Sequence, residues 1–462
     1  MSARKIGLLF LILGFGAAME TAWSVRNHVD FGPEGCRVLG GQFYGPSWSF
    51  ADETKRAAPA GARVEVTNAF GAVRITRGDP REVKVGLRKV VFLPTEERAR
   101  AFADRVALRA ELQGDVVQVG TNRDDLGRDD RVGLETHLDL RVPPGTAVVV
   151  RNEHGQVTVE DVAKADITAS YDGVEVSRVA GGLELKSRHG SVGISEVGGD
   201  LTLDARYGDV EVTGVKGRAS LEVRHGHVTV KRAGGLKLDH AYGDVDLREI
   251  AGNLEVKAEH AGIEASDVTG DASIESSFNG VQLARIGGKA RVKTQHGEIR
   301  AATVTGALTA EASFGSVELE DVGGPVEVTV VHGGVRAQTF TKGGRFKASG
   351  EDVTLDRFEG AVDVEAERAS AHIAPGGAIT ERISVRVTHG GIRLEVPVGS
   401  RFDLDAVTRR GEVRADLPGF VVSRSDTRHV SGQLAGGGSP VTLAADGDVE
   451  LEPRTANARG EM

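Results

Sequence analysis

A glycine turn that recurs every 17 or 18 residues constrains the fold of this chain more than any other feature. The ring residue at this turn alternates between histidine and an aromatic residue. The histidine turns contain His154, His189, His225, His260, His296 and His332, and the aromatic turns contain Tyr171, Tyr207, Tyr242, Phe278 and Phe314. A second turn, marked by pairs such as Gly181-Gly182, lies between them. Each unit of about 18 residues therefore has two strands and two turns.

The strands between these turns alternate apolar and polar residues. Leu183-Glu184-Leu185 and Val210-Glu211-Val212 each place apolar side chains on one face and charged side chains on the other. Aromatic residues are only 5% of the chain, so the core must consist of thin layers of Val, Leu, Ile and Ala. The pattern predicts an all-β protein, a β-solenoid resembling a parallel β-helix.

The alternation of the ring residue leaves two coil sizes open. A coil of 18 residues stacks histidine and aromatic rings in one mixed column, whereas a coil of 36 residues gives each ring type its own column at the ~4.8 Å strand spacing. We favour about 36 residues per coil, because identical coils give no reason for strict alternation and two different corners do.

The repeat also predicts the domain boundaries. Residues 24–60 are an irregular linker or an N-terminal cap, in which Phe43, Tyr44 and Trp48 cover the first coil. The solenoid spans residues 61–452. It is interrupted by an insertion at 77–150 that carries one helix at about 95–106, where apolar residues have helical spacing.

The C-terminal part of the repeat is less regular. Ser349 stands where an aromatic ring is due and Arg368 where a histidine is due, so we expect the solenoid to fray there before His389 resumes the pattern. Strands around 441–443 and 449–451 then close the stack, and residues 453–462 form a disordered tail.

The N-terminus has the pattern of an export signal. Arg4 and Lys5 precede an apolar run from Ile6 to Ala18, which ends in small residues. The run is shorter than the ~20 residues that span a bilayer, yet an uncleaved anchor extending to Trp23 stays open. We therefore expect residues 1–23 to be a signal peptide or a signal anchor, with membrane association through residues 6–23.

The charges favour a soluble monomer. The 57 basic and 67 acidic residues give a net charge of −10, and both signs are interspersed along the strands, which argues against nucleic-acid binding. The single cysteine, Cys36, cannot form an internal disulfide.

These features resemble a bacterial family of β-strand-repeat domains of unknown function that carries an adhesin label and is related to LiaG-type envelope proteins. The resemblance covers roughly residues 61–452. It rests on the opening unit Val66-Thr67-Asn68-Ala69-Phe70-Gly71, the helical insertion, Leu140–Gly145 and the repeated strands around glycine. It implies an exported solenoid, often membrane-associated, and it carries no catalytic residues.

The histidine set allows two interpretations. Repeated imidazoles can bind a row of transition-metal ions or act as a pH switch, or they can simply stack as flat rings beside a turn glycine, as the aromatic residues do. We favour the stack, because the acids near these turns do not recur at one fixed offset. Stacked imidazolium groups repel, so we expect the array to loosen below about pH 6.

The acidic residues also admit a functional and a structural interpretation. Asp200, Asp209 and Asp244 follow turn glycines, as the aspartates of calcium-binding β-rolls do, but most units lack them, which favours a hydrogen-bonding role in the turn. Outward acids are interleaved with bases, which is typical of a solvated face and disfavours a polysaccharide-cleaving enzyme. These acids are Glu184, Glu211, Glu222 and Glu318, and the bases are Lys186, Arg224 and Arg300.

The sequence therefore predicts a non-enzymatic, exported protein without a cofactor, in the periplasm, the cell envelope or at the cell surface. We expect an adhesin-like or scaffold solenoid that binds an envelope polymer, a glycan or a protein. A membrane-anchored accessory protein of an envelope-stress response and a carbohydrate-active β-helix enzyme are the alternatives.

Overall fold

The computed structural model describes residues 46–58, 61–127 and 133–454, together with the backbone of three short strands between residues 31 and 42. The predicted signal or anchor segment 1–23, the ring residues Phe43 and Tyr44, and most of the predicted tail lie outside the described residues. The chain forms two compact units, Met1–Val179 and Ala180–Met462.

The described residues of the first unit form fourteen strands and one α-helix. They are β1 (Phe31–Gly32), β2 (Gly35–Val38), β3 (Gly41–Gln42), β4 (Ser47–Ala57), β5 (Arg63–Phe70), β6 (Val73–Arg77), β7 (Glu82–Phe92), α1 (Glu96–Ala103), β8 (Leu108–Gln113), β9 (Val116–Thr121), β10 (Leu134–Val142), β11 (Ala147–His154), β12 (Val157–Val162), β13 (Lys164–Ala169) and β14 (Val174–Val179). A single 3-10 turn, Arg123–Asp125, precedes β10.

From Ala180 to residue 454, the part of the second unit that the structure describes, the regular elements are all strands. They are β15 (Leu183–His189), β16 (Val192–Val197), β17 (Leu201–Tyr207), β18 (Val210–His225), β19 (Val228–Tyr242), β20 (Val245–Ile250), β21 (Leu254–Ala258), β22 (Ile263–Val268), β23 (Ala272–Ser276), β24 (Val281–Ile286), β25 (Ala290–His296), β26 (Ile299–Val304), β27 (Leu308–Phe314), β28 (Val317–Val322), β29 (Val326–Phe340), β30 (Gly344–Phe358), β31 (Val362–Glu367), β32 (Ala371–Pro375), β33 (Ile383–Thr388), β34 (Ile392–Val396), β35 (Phe402–Thr408), β36 (Val413–Ala415), β37 (Phe420–Asp426), β38 (His429–Leu434), β39 (Ser439–Ala445) and β40 (Val449–Pro453).

Parallel pairing between successive coils confirms the β-solenoid and fixes the size of its coil. In the second unit Leu183 of β15 lies opposite Leu201 of β17, and Val192 of β16 lies opposite Val210 of β18, so the chain returns to the same place after 18 residues. In the first unit Ala147 lies opposite Lys164, a coil of 17 residues. The prediction of 36 residues per coil is wrong. One coil holds one ring turn, so the histidine and aromatic rings share a single column. They can share it because histidine, tyrosine and phenylalanine have similar flat rings that stack on one another.

Each coil contributes one strand to each of two parallel sheets. We call the strands that lead into the ring turn sheet 1, and the strands that follow it sheet 2. Sheet 1 strands alternate strictly, as in β15, where Leu183, Leu185 and Ser187 point inward. Sheet 2 strands bury their first, third and sixth residues, because the fifth residue is left-handed and turns the sixth side chain inward. In β28 the left-handed residue is Asp321, with φ 56°.

The turn glycines are required by the close stacking of coils. Gly208 has φ 129°, and a Cβ atom there would lie 2.3 Å from the carbonyl oxygen of Gly190 in the neighbouring coil. A Cβ atom at Gly226 would likewise lie 2.2 Å from the carbonyl oxygen of Gly208. Glycine suits this column best, since both the positive φ and the backbone contact disfavour a side chain, although Asn279 occupies the equivalent position with φ 73°.

The insertion supplies the first coil of the first unit rather than a separate lobe. Strand β9 pairs in parallel with β5, and β10 pairs in parallel with β6. Antiparallel strands then cover this coil: β8 lies on β9, and β7 followed by β4 lies on β10. Segment 24–60, expected to be irregular, thus includes the regular strand β4.

Helix α1 covers a small satellite core at this end. We predicted a helix at about 95–106, and α1 spans Glu96–Ala103. Its Ala99 and Ala103 pack with Val91 and Leu134, and Trp48 flanks the cluster. The indole nitrogen of Trp48 donates to the carbonyl oxygen of Leu93 at 3.1 Å. Trp48 therefore contacts the helix cluster at the covered end of this unit.

The C-terminal end differs from the expected fraying. Strand β30 pairs with β31, β31 with β33 and β32 with β34, because the buried apolar positions continue after the ring residues stop. The strands that come last in sequence also do not close the stack. Strand β39 lies between β33 and β35, and β40 lies between β34 and β36. Antiparallel strands β38 and β37 then cover β35.

Candidate functional site

A ladder of stacked rings runs along the ring turns of the second unit. Its nine rings are His189, Tyr207, His225, Tyr242, His260, Phe278, His296, Phe314 and His332. Neighbouring centroids are 4.4 to 5.0 Å apart, and neighbouring planes differ by 2° to 7°. In the first unit His154 and Tyr171 stack in the same way, at 4.4 Å and 4°, whereas Phe70 is tilted by 43° against His154. The rings stand at the surface; Tyr207, for example, is 50% exposed.

The mixed column separates the imidazoles. His225 and His260 each lie next to Tyr242, at 4.9 and 5.0 Å, so neighbouring histidines of the ladder are about 10 Å apart. A metal ion binds imidazole nitrogen at about 2 Å, so it cannot bridge two of them. Within the described residues no group of three or more His, Cys, Asp or Glu side chains is placed to hold a metal ion. The separation also removes the direct imidazolium contact on which the expected loosening below about pH 6 depends.

The turn aspartates bond to the neighbouring coil. Asp200 Oδ1 accepts a hydrogen bond from the backbone N–H of Arg218 at 2.8 Å, and Asp209 Oδ1 accepts one from His227 at 2.8 Å. Asp244 accepts from Gly262 at 3.3 Å. Sequence reasoning predicted a hydrogen-bonding role within the turn; the bonds instead join one coil to the next.

The outward acids that the sequence singled out do not meet in one place. Glu184 and Glu222 lie on sheet 1, where they pair with Lys186 at 3.1 Å and with Arg224 at 2.6 Å. Glu211 of β18 and Glu318 of β28 lie on sheet 2, six coils apart. These exposed ion pairs are worth little energy each, because solvent screens them.

An open groove on sheet 2 is the feature that sequence reasoning missed. It has a volume of about 660 Å³ and crosses strands from β20 to β29. Its floor consists of the fourth residues of three consecutive sheet 2 strands, Ser266, Ala284 and Ala302, which point outward but are short. At the same fourth position, the preceding strand β20 carries Arg248 and the following strand β28 carries Glu320. Three short outward residues at an 18-residue spacing were the available signal.

The walls of the groove consist of polar side chains. Gln282 and Arg300 lie on one side of the floor, and Asp267 and Arg285 on the other. None of the lining residues is aromatic. The wall groups thus offer hydrogen bonds rather than a stacking platform.

Most charges in the groove are held in ion pairs. Arg285 binds both carboxylate oxygens of Asp267, at 2.6 and 2.7 Å, and this hydrogen bonding lowers the pKa of Asp267. Arg300 contacts Glu298 at 2.7 Å and Glu318 at 3.2 Å. The groove is therefore polar, with its charges largely compensated in place.

One polar atom of the groove stands out. Asp246 pairs with Arg248 through Oδ2 at 2.8 Å, while its Oδ1 is buried and has no hydrogen-bond partner in the described part of the chain. A buried acceptor of this kind is costly unless a donor reaches it.

Comparison with known proteins assigns the chain to no family. No protein-family model matches the chain, and no curated protein matches it. A crystal structure from Clostridium sporogenes, described as a "putative cell adhesion protein", has 7% identity, covers 88% of this chain and 100% of its own, and has a TM-score of 0.16. A "putative adhesin" from Parabacteroides distasonis has 10% identity, covers 63% of this chain and 95% of its own, and has a TM-score of 0.18. At these TM-scores neither structure supports an inference about function, and the family resemblance stays a prediction.

Among the described residues no helix is both long and apolar enough to cross a membrane.

Proposed function

We propose that this chain is an exported, non-enzymatic protein of the cell envelope that binds an envelope polymer, a glycan or a protein through its solenoid surface, in the manner of an adhesin. The observation that carries the proposal is the sheet 2 groove, an extended polar surface built on rigid strands. A site on strands of a packed stack is ordered before the ligand arrives, which lowers the cost of binding.

The ion pair of Asp267 with Arg285 in the groove favours binding over catalysis at this carboxyl group. A carboxyl group that acts as a general acid or base works best when its pKa lies near the working pH. Asp267 is held by Arg285, and its pKa is lowered rather than raised. Export is supported by the basic residues Arg4 and Lys5 before the apolar run Ile6–Ala18.

Co-sedimentation of the purified protein with insoluble envelope polymers of its host tests the binding function. We expect the protein to pellet with them, and no sugar or peptide fragment to be released on long incubation. Failure to pellet with any envelope fraction contradicts the binding role, and steady release of fragments contradicts the non-enzymatic role.

Fractionation of the native host tests the location. An N-terminus near residue 19 in a periplasmic or surface fraction supports the exported binding protein. An intact N-terminus in the membrane fraction instead favours the anchored accessory protein of an envelope-stress response, since the apolar run Ile6–Trp23 is then retained. Recovery from the cytoplasm contradicts both.

A further inference from the structure

We infer that the sheet 2 groove binds a linear glycan of uncharged, hydroxyl-rich sugar units, laid across the strands along the stack. This inference rests on the proposed function and gives it a site and a ligand class.

The shape of the groove suits a linear polymer. Its floor runs from Ser266 through Ala284 to Ala302, one residue from each of three consecutive strands. Equivalent residues on parallel strands are ~4.8 Å apart, so the wall groups recur at a regular step close to the length of a pyranose unit. Long side chains at the same strand position, Arg248 and Glu320, close the two ends of this floor, so the floor itself holds about two sugar units and a longer glycan continues over these side chains.

The wall groups suit hydroxyl groups. Gln282 is exposed and offers both an amide donor and an acceptor. Arg300 uses Nε and one terminal nitrogen for its two carboxylate partners, which leaves the N–H donors of Nη1 for a ligand.

The charge of the groove argues for an uncharged chain. Arg248, Arg285 and Arg300 are each paired with a carboxylate at 3.2 Å or less. A polyanionic ligand has to compete with these carboxylates, and a polycationic ligand has to compete with the arginines. An uncharged glycan hydrogen-bonds to the pairs without breaking them, and its binding is insensitive to salt.

Calorimetry with defined oligosaccharides tests the inference. The probes are uncharged β-linked hexamers of glucose and of N-acetylglucosamine, with a galacturonic acid hexamer and a heparin fragment as charged comparators. We expect at least one uncharged hexamer to bind, with an affinity that changes less than about twofold when about 0.5 M NaCl is added.

Filling the floor provides the matched variant. Ala284→Trp places a bulky ring in the groove and should weaken binding more than about tenfold. Ser195→Trp makes the same change at the fourth position of β16, outside the groove, and should leave binding within about twofold of the unmodified protein. Gln282→Ala removes a wall group without adding bulk and should also weaken binding, which guards against a folding defect in the tryptophan variant.

Three results overturn the inference: tight, salt-sensitive binding of a charged comparator alone; equal binding by Ala284→Trp and Ser195→Trp; or no binding of any uncharged hexamer by a protein that still pellets with envelope polymers. The last result leaves the proposed function standing. Loss of pelleting itself contradicts the proposed function as well, so the two failures are distinguishable.

Discussion

The fifth residue of each sheet 2 strand adopts a conformation that side chains usually avoid. In the second unit nine such residues from Glu196 to Arg357 have φ between 51° and 59°, and Gly214 occupies the same position in β18. A left-handed non-glycine residue costs roughly 1–2 kcal/mol. The packing of the sixth side chain, Val304 in β26 for example, offsets this cost because the bend brings it into the core.

This strain predicts a stabilising substitution. Thr303 is β-branched, exposed and left-handed, with φ 57°. Thr303→Gly should raise the free energy of unfolding by about 0.5–1 kcal/mol, since the relief exceeds the added entropy of the unfolded chain. Thr309→Gly, in an ordinary extended position of β27, is the control and should lower it. Denaturant titration of both variants measures the difference, and equal destabilisation by the two changes contradicts the account.

His240 is the buried imidazole of the second unit. Its Nδ1 and Nε2 face the carbonyl oxygens of Val223 and Gly243, at 3.1 and 2.9 Å. Burial lowers its pKa, although these carbonyls favour the protonated ring. Below about pH 6.5 the unfolded chain therefore takes up a proton that the folded chain does not, so stability falls as the pH falls.

Replacement of His240 should reduce this acid sensitivity. Its neighbours in the same column are Val223 and Ala258, so His240→Val matches an existing coil. We expect the melting temperature of this variant to fall less than that of the unmodified protein between about pH 7.5 and 5. His389→Gln, an exposed change away from His240, should leave the fall unchanged. An identical fall in all three proteins rules out His240 as the source.

At the scale of the element, the ring ladder ties successive ring turns together. Tyr242 stacks on His225 and His260, so Tyr242→Ala removes two ring contacts and should cost about 1–3 kcal/mol. Tyr242→Phe keeps both contacts, and Phe278 and Phe314 already occupy equivalent turns, so its cost should be below about 0.5 kcal/mol. Equilibrium unfolding measures the loss of stability in both variants. An equal loss in the two means that ring stacking does not contribute to stability.

The elements show where prediction from sequence succeeded. The strands were predictable because residues such as Leu183 and Leu185 alternate with charged neighbours, and glycine marks each turn. The coil size was not, because an alternation of His and Tyr along one chain looks the same whether rings share a column or form two. The groove was not found, because Ser266, Ala284 and Ala302 become neighbours only after the coil size is known.

At the scale of the molecule, antiparallel strands cover the coil formed by β9 and β10 in the first unit and the coil formed by β35 and β36 in the second. In each unit these coils are out of sequence order. The solenoid was predictable from its period, but strands β9 and β10 were assigned to an insertion, since long-range parallel pairing leaves no local signal. The order of β35, β36, β39 and β40 was missed for the same reason.

This order predicts the effect of truncation. Removal of residues 439–462 takes away β39 and β40, which separate β33 and β34 from β35 and β36. We therefore expect protease cleavage throughout residues 402–438 and a melting temperature lower by at least several degrees. Removal of 455–462 alone is the control and should change neither. Persistent protection of 402–438 in the longer truncation contradicts the derived topology.

The out-of-order coils also make assembly of this end depend on the direction of synthesis. A ribosome, or an export channel that threads the N-terminus first, delivers β35 to β38 before their docking surface on β39 and β40 exists. Central coils can fold one after another as they are synthesised. The coils at this end can fold only together, after β39 and β40 have been synthesised. Until that step, β33 and β34 present an open sheet edge, so an incomplete chain is marked by a surface that chaperones and proteases recognise.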